Sequence, residues 1–425
     1  MTNPRTDHPF VHRILDCGLE MAVLPLPGRP VVAMEIRLFA GFACEDPKYL
    51  GVTHVLNEAI SKGTAHYDGR GLNDAFDEIG ATHVSQAGRE TFAFSGLCLP
   101  EYLPRSIALH AELIRRPTFP EDACSVAVEL ARQQLLALDD DPDELTKKLL
   151  YRQTYGQPLG RHVLGEPDTL ARLNRDAIVE HWRSHFSAGR MYVAVAGGVD
   201  PDALADQFEK EFEGFHTGEQ NPGPERERPC WNLNFAPVRR HYSKELEQEQ
   251  IAICFPGSAV TDPDFYSGQV LIGVLSGGMS GRLFTEVREK QGLVYWVGAW
   301  SDHPRGAGFV HLGASSTPQN AEKTYNTLLR EIDRLADDLT QQELERAQAG
   351  IVTRALTRGE VTRSKAAELC NDLFHHGRPL LTEEKLSRIQ AVTLNDLRRY
   401  LEEHPRDRVG AVTLGPREIE FTNDG

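Results

Sequence analysis

A chain of 425 residues is long enough for two or more domains, because single hydrophobic cores stop growing at about 250 to 300 residues. With 40% hydrophobic and 25% charged residues, its composition is that of a globular protein and excludes long disorder. A formal net charge of −16 excludes a nucleic-acid surface and opposes adsorption to anionic membranes; it would attract cationic peptides, or simply maintain solubility.

The opening MTNPRTDHPF has neither the basic start nor the apolar run of a secretory signal. No stretch reaches the roughly eighteen apolar residues of a membrane span. Seven cysteines, at positions 17, 44, 98, 124, 230, 254 and 370, are odd in number and form no C-x-x-C pair. They suit reduced thiols, so the expectation is a cytoplasmic protein with neither membrane nor nucleic acid as partner.

In chain order, Arg13 to Leu26 alternates around Gly18 as a two-strand hairpin, and Val31 to Ala40 is a third strand. GVTHVLNEAISKGT, Gly51 to Thr64, reads as a helix in which offsets of three and four residues place His54, Asn57 and Glu58 on one face. Gly69 to Ile79 is another helix, ended by Gly80. Strands at Ala81 to Gln86 and Glu90 to Leu99 follow, then helices at Leu103 to Ile114 and Pro120 to Leu138. The second of these begins behind acids suited to its positive end. The acidic turn Asp139-Asp140-Asp141-Pro142 leads to a helix over Leu145 to Thr154, and YGQPLGRHVLG is a loop. A helix through Asp176 to His185, a strand at Met191 to Ala196 and a helix from Pro201 to Phe212 complete the first half.

HTGEQNPGPERERP concentrates Gly, Pro, Asn and charge without apolar periodicity, as a solvated linker does. The expected division is therefore an N-terminal half over residues 1–215, a linker at 216–230 and a C-terminal half over 231–425. The second half repeats the first. A strand at Gln250 to Pro256 precedes helices at Asp264 to Val274 and Gly281 to Lys290. A strand pair follows at Gly292 to Trp300 and Gly308 to Ala314, then helices at Asn320 to Ala336 and Gln341 to Arg358. A helical stretch near Leu386 to Leu401 and a strand at Arg408 to Leu414 close it. The fold class expected is α+β, in two similar halves that each pack helices on a mostly antiparallel sheet.

The helix at His54 resembles the inverted zinc motif H-x-x-E-H of the pitrilysin and insulin-degrading-enzyme family, in particular its small processing-peptidase-like members. There two histidines and a downstream glutamate bind zinc and the intervening glutamate activates water. By matching position His54 is the first histidine, Asn57 replaces the catalytic glutamate and Glu58 replaces the second histidine. Counting back from the Asp139–Pro142 turn puts Gln134 at the third ligand position. A carboxylate at Glu58 is compatible with zinc, but the Asn57 amide cannot take a proton from a bound water. No complete metal site is written in the chain, and zinc is expected only if this altered site or a partner subunit holds it.

SGGMSGRLFTEVREKQGLVY, Ser276 to Tyr295, resembles the same family's glycine loop followed by R-L-F, R-E-K and G-L-x-Y. The resemblance assigns Arg288 and Tyr295 to holding the substrate's scissile region and oxyanion. A fixed guanidinium fork and a phenol suit that task; alternatively, Arg288 pairs with Glu286 or Glu289 and Tyr295 is a half-buried strand residue. Gly277, Gly278 and Gly281 either admit the main chain of an extended peptide or satisfy a turn. His83 and His110 read as packed histidines. Asp372 with His375-His376 has ligand spacing, but Gly377 and Pro379 argue against a helix there. Trp296 and Trp300 share one strand face, lining a cavity or filling a core.

In that family two such halves face each other around a peptide cavity, and chains pair. Three readings follow: a non-catalytic subunit that supplies Arg288 and Tyr295 to a homologous zinc-bearing partner, an active zinc metalloendopeptidase with an altered site, or a purely structural subunit. A homodimer is the alternative assembly, and an extended peptide the expected substrate.

Overall fold

Six strands form the first sheet: β1 (Val11–Ile14), β2 (Glu20–Pro25), β3 (Val32–Leu38), β4 (Thr82–Ala87), β5 (Phe92–Cys98) and β6 (Met191–Gly197), in the spatial order β1-β2-β6-β3-β5-β4. The pairs are antiparallel except β2 with β6. In β5, Phe92, Phe94 and Cys98 alternate inward, the pattern of a strand with one buried face. Every residue of β6 is buried, because both its faces are covered. Met191, Val193 and Val195 enter the main core with α1 (Val52–Ala59), α2 (Gly69–Asp77), α3 (Leu103–Arg115) and α4 (Glu121–Ala137). Tyr192, Ala194 and Ala196 meet the helix Thr362–His376 through Ala366, Leu369, Cys370, Leu373 and Phe374.

The second sheet has five strands: β7 (Arg239–Ser243), β8 (Glu249–Gly257), β9 (Val294–Asp302), β10 (Gly308–Ser316) and β11 (Gly410–Gly415), ordered β7-β11-β8-β10-β9. One face packs Ile251, Ile253, Val310 and Leu312 against helices that include Phe265–Ser276 and Ala321–Asp333. The other packs Ala252, Cys254, Phe309 and Val412 beneath Leu150, at the end of α5 (Pro142–Thr154), and Tyr155. Tyr155 stacks on Phe309 with ring centroids 3.5 Å apart.

These sheets belong to two compact units that interleave along the sequence in a computed structural model describing residues 10–215, 230–231, 234–405 and 407–421. The first unit takes Met1–Leu135, His162–Arg228 and Arg358–Leu380; the second takes Leu136–Arg161, Pro229–Thr357 and Leu381–Gly425. Thus α5 lies in the second unit and the helix Thr362–His376 in the first. Residues 216–229 of the expected linker lie outside the described residues.

The α+β architecture agrees with the sequence, and several elements refine it. Asp141 caps α5 by accepting from Glu144 N, so that helix starts at Pro142. The stretch 386–401 is two helices, Thr382–Ala391 and Leu394–Glu403, because Thr393 and Asp396 form a capping box that begins a new one. The region ahead of Gly377 is helical through His376, with Gly377 as its left-handed cap at φ 68°.

Candidate functional site

The position of α1 is fixed by groups buried at its start. Glu45, 3% exposed, accepts from Gly51 N at 2.9 Å and Thr53 N at 2.8 Å, satisfying donors that an N-terminus leaves open and placing negative charge at its positive end. Thr53 Oγ1 bonds His181 Nε2 at 3.2 Å. Burial and the neighbouring His185 and Arg190 lower the His181 pKa to about 3, so that imidazole is neutral. The loop before α1 is gripped by the P-L-G-R-H-V-L-G segment, where a Cβ on Gly165 would stand 2.2 Å from Leu50 O. That segment is therefore structural. With Val52, Val55, Leu56 and Ala59 in the core, His54, Asn57 and Glu58 remain on the half-buried face.

The structure brings Gln134 of α4 to that face: His54 Nε2 and Gln134 Oε1 are 2.6 Å apart. Whichever way the amide is turned, this hydrogen bond saturates Nε2. Asn57 Oδ1 is buried without a hydrogen-bond partner, and among the described residues the Glu58 side chain has neither hydrogen bond nor ion pair. Glu129, the carboxylate of α4 nearest in sequence to Gln134, lies on the exposed side near Arg132. This donor set does not fit zinc: the histidine nitrogen is spent on an amide, the third position is a neutral amide, and one carboxylate is left. Among the described residues no group of three or more His, Cys, Asp or Glu side chains is arranged to hold a metal ion.

In the second unit the helix Phe265–Ser276 runs into the glycine loop. A Cβ on Gly277 would lie 2.2 Å from Gly273 O, and one on Gly281 would lie 2.8 Å from Leu275 O; both positions exclude side chains for local reasons. Gly278, at φ 131°, instead borders open space. Arg282 follows, only 8% exposed, with a fork of bonds to Glu343 at 2.6 and 2.9 Å and bonds to Asp338. The R-L-F arginine is thus an anchor.

Residues Phe284–Glu289 form a π-helical turn where an ordinary helix was expected. It buries Val287 and presents Arg288 to solvent, and such turns recur at functional sites. The Arg288 guanidinium carbon lies 4.9 Å from the Phe284 ring centroid and 5.4 Å from that of Tyr295, which is 77% exposed. Glu286 is engaged by Lys290 at 2.7 Å, so the alternative pairing with Arg288 does not form. Among the described residues the Arg288 side chain makes no hydrogen bond or ion pair. The guanidinium is held by two aromatic rings while its N–H donors stay available. Phe284 was not singled out in the sequence, although its spacing four residues before Arg288 was visible.

Trp296, 43% exposed, lies over Gly313, and Trp300 stacks on His311 at 5.3 Å. His83 and His110 both pack on Phe76. Asp372 Oδ2 accepts from Leu380 N at 3.0 Å, a turn-closing role.

The family model described as "Insulinase (Peptidase family M16)" matches residues 21–167, and "Peptidase M16 inactive domain" matches residues 172–351. An "uncharacterized zinc protease" of Rickettsia bellii is 26% identical over 409 residues, covering 95% of this chain and 96% of that protein. Another in Bacillus subtilis is 27% identical over 378 residues, covering 87% and 90%. A Helicobacter pylori protease structure superimposes with a TM-score of 0.87 at 17% identity over 95% of this chain and 99% of that one. A Pseudomonas fluorescens structure titled as a peptidase M16 inactive domain gives 0.87 at 18%, over 97% and 100%. The fold is that of the two-domain peptidase M16 structures. The chain belongs to the insulinase family, peptidase family M16.

Proposed function

We propose that this chain is a non-catalytic insulinase homologue that binds an extended peptide and supplies Arg288 and Tyr295 to a homologous zinc-bearing partner. The observation that carries this reading is the contrast between two sites. At the metal positions His54 is tied to Gln134 and Asn57 offers no base, so nothing on α1 generates a nucleophile. At the second position Arg288 is steadied by Phe284 and Tyr295 with its donors unspent, poised to stabilise charge on a carbonyl oxygen. A purely structural subunit has no use for an exposed cation so arranged.

Peptide binding is supported by β4. This edge strand, paired only with β5 among the described residues, packs beside α1 and leaves one side of its ladder for an added strand. Gly278 and its open surroundings supply a second place for close main-chain approach. Homodimerisation would leave the peptide site without a metal, so catalysis requires the zinc-bearing relative. All seven cysteines are free thiols, compatible with a cytoplasmic setting, and no described helix is long and apolar enough to cross a membrane. Mixing this chain with a relative that retains H-x-x-E-H tests the proposal: peptide cleavage should appear in the mixture and fall with Arg288→Ala or Tyr295→Phe.

A further inference from the structure

The former metal position has not become inert. Its three altered groups all carry acceptor oxygens, and two of these side chains, Asn57 and Glu58, leave an acceptor unanswered. Asn57 Oδ1 is buried without a donor, and Glu58 keeps a half-buried carboxylate with no cation among the described residues. His54 Nε2 is already engaged by Gln134, so it answers neither oxygen. A buried acceptor without a donor is an unfavourable feature that a ligand bringing N–H groups removes, and a lone carboxylate fixes the ligand's charge as positive.

We infer that Asn57 and Glu58 form a binding position for a primary ammonium group, replacing the metal ion with an organic cation. Zinc needs several lone pairs in a tetrahedron, whereas an ammonium needs acceptors only and tolerates a carboxylate beside an amide oxygen. An ammonium is also compact, with rotatable donors that do not impose the planar fork of a guanidinium. Its source is either a lysine side chain or the free N-terminus of a peptide lying along β4, the edge strand beside α1. The source therefore rests on the peptide-binding reading, while the ammonium chemistry does not. The protein's charge of −16 favours the approach of such a ligand.

Fluorescence anisotropy with the purified full chain separates these points. Three dye-labelled extended decapeptides are compared: one N-acetylated with a single lysine, the same peptide with norleucine in its place, and a lysine-free peptide with a free N-terminus and the dye at its C-terminus. The lysine or the free-amine peptide should bind at least tenfold more tightly than the norleucine control, identifying the source. n-Butylammonium should compete and n-butanol should not. Glu58→Gln should abolish the preference and Asn57→Leu weaken it, with circular dichroism unchanged, while Glu129→Gln, on the exposed side of α4, keeps it. Equal binding of all three peptides overturns the ammonium position but leaves peptide binding standing. If no peptide binds, the peptide reading fails and calorimetry with n-butylammonium alone decides: heat lost in Glu58→Gln upholds the position, and no heat from the native chain overturns it. Stoichiometric zinc at His54 overturns it as well.

Discussion

Replacing Arg282 with methionine should cost about 3 kcal/mol of stability at neutral pH, and the cost should shrink in acid. The guanidinium, 8% exposed, bonds both oxygens of Glu343 and also reaches Asp338, tying the segment that carries Arg288 to the Asp338–Glu343 region. Burial pushes the Glu343 carboxyl up, but bonds from Arg282 and Thr340 outweigh it and bring the pKa from 4.5 to about 2. At about 1.4 kcal/mol per pH unit, that depression corresponds to about 3 kcal/mol. Breaking one side of a buried pair independently costs about 3 to 5 kcal/mol. A carboxylate with a depressed folded pKa stabilises above its unfolded value, and this stability is lost as pH falls from about 4.5 to about 2. Urea unfolding of native chain and Arg282→Met at pH 7 and pH 3 measures both terms; the difference should be near 3 kcal/mol at pH 7 and about half that at pH 3. A gap that is the same at both pH values, or below about 0.5 kcal/mol at pH 7, the scale of a surface substitution, would refute the anchoring role.

Glu249 behaves oppositely: burial raises its pKa to about 7, against a bond from Arg417 N, so its contribution is present in acid and is lost as pH rises from about 4.5 through about 7. Glu249→Gln should match the native chain in melting temperature at pH 5 and exceed it at pH 8. His181 and His110 are both buried, with pKa values lowered to about 3 and about 4, so stability should fall as pH drops from about 6.5 towards 4; urea midpoints at pH 7 and pH 5 read this directly. Gly277→Ala places a Cβ 2.2 Å from Gly273 O and should destabilise by about 1 to 3 kcal/mol in thermal melts. The triple variant Asn57→Glu, Glu58→His and Gln134→Glu restores a zinc donor set around His54 and should retain one zinc per chain after dialysis, while the native chain retains none.

The face of α1 was legible because i, i+3 and i+4 spacing is a local property, and Gln134 could be found because the family resemblance supplies a count back from the Asp139–Pro142 turn. The capping of α1 by Glu45 was not legible: it depends on a tertiary approach that no periodicity records. The π-helical turn at Phe284–Glu289 also leaves no compositional mark, since it widens one turn of an otherwise helical segment. The helix Thr362–His376 did carry a readable pattern. Ala366, Leu369, Cys370, Leu373 and Phe374 have amphipathic spacing, but the breakers Gly377 and Pro379 directed attention to its end. Its packing on the first unit's sheet was beyond the sequence, because a helix face does not name the sheet it covers.

The most direct measurement is zinc content and peptide cleavage by the purified chain, alone and mixed with a homologue bearing an intact H-x-x-E-H, with Arg288→Ala and Tyr295→Phe alongside. No zinc and no cleavage alone, with cleavage on mixing that drops in either variant, is the predicted result. Stoichiometric zinc and chelator-sensitive cleavage by this chain alone would contradict it, and would mean that a base other than Asn57 activates the water.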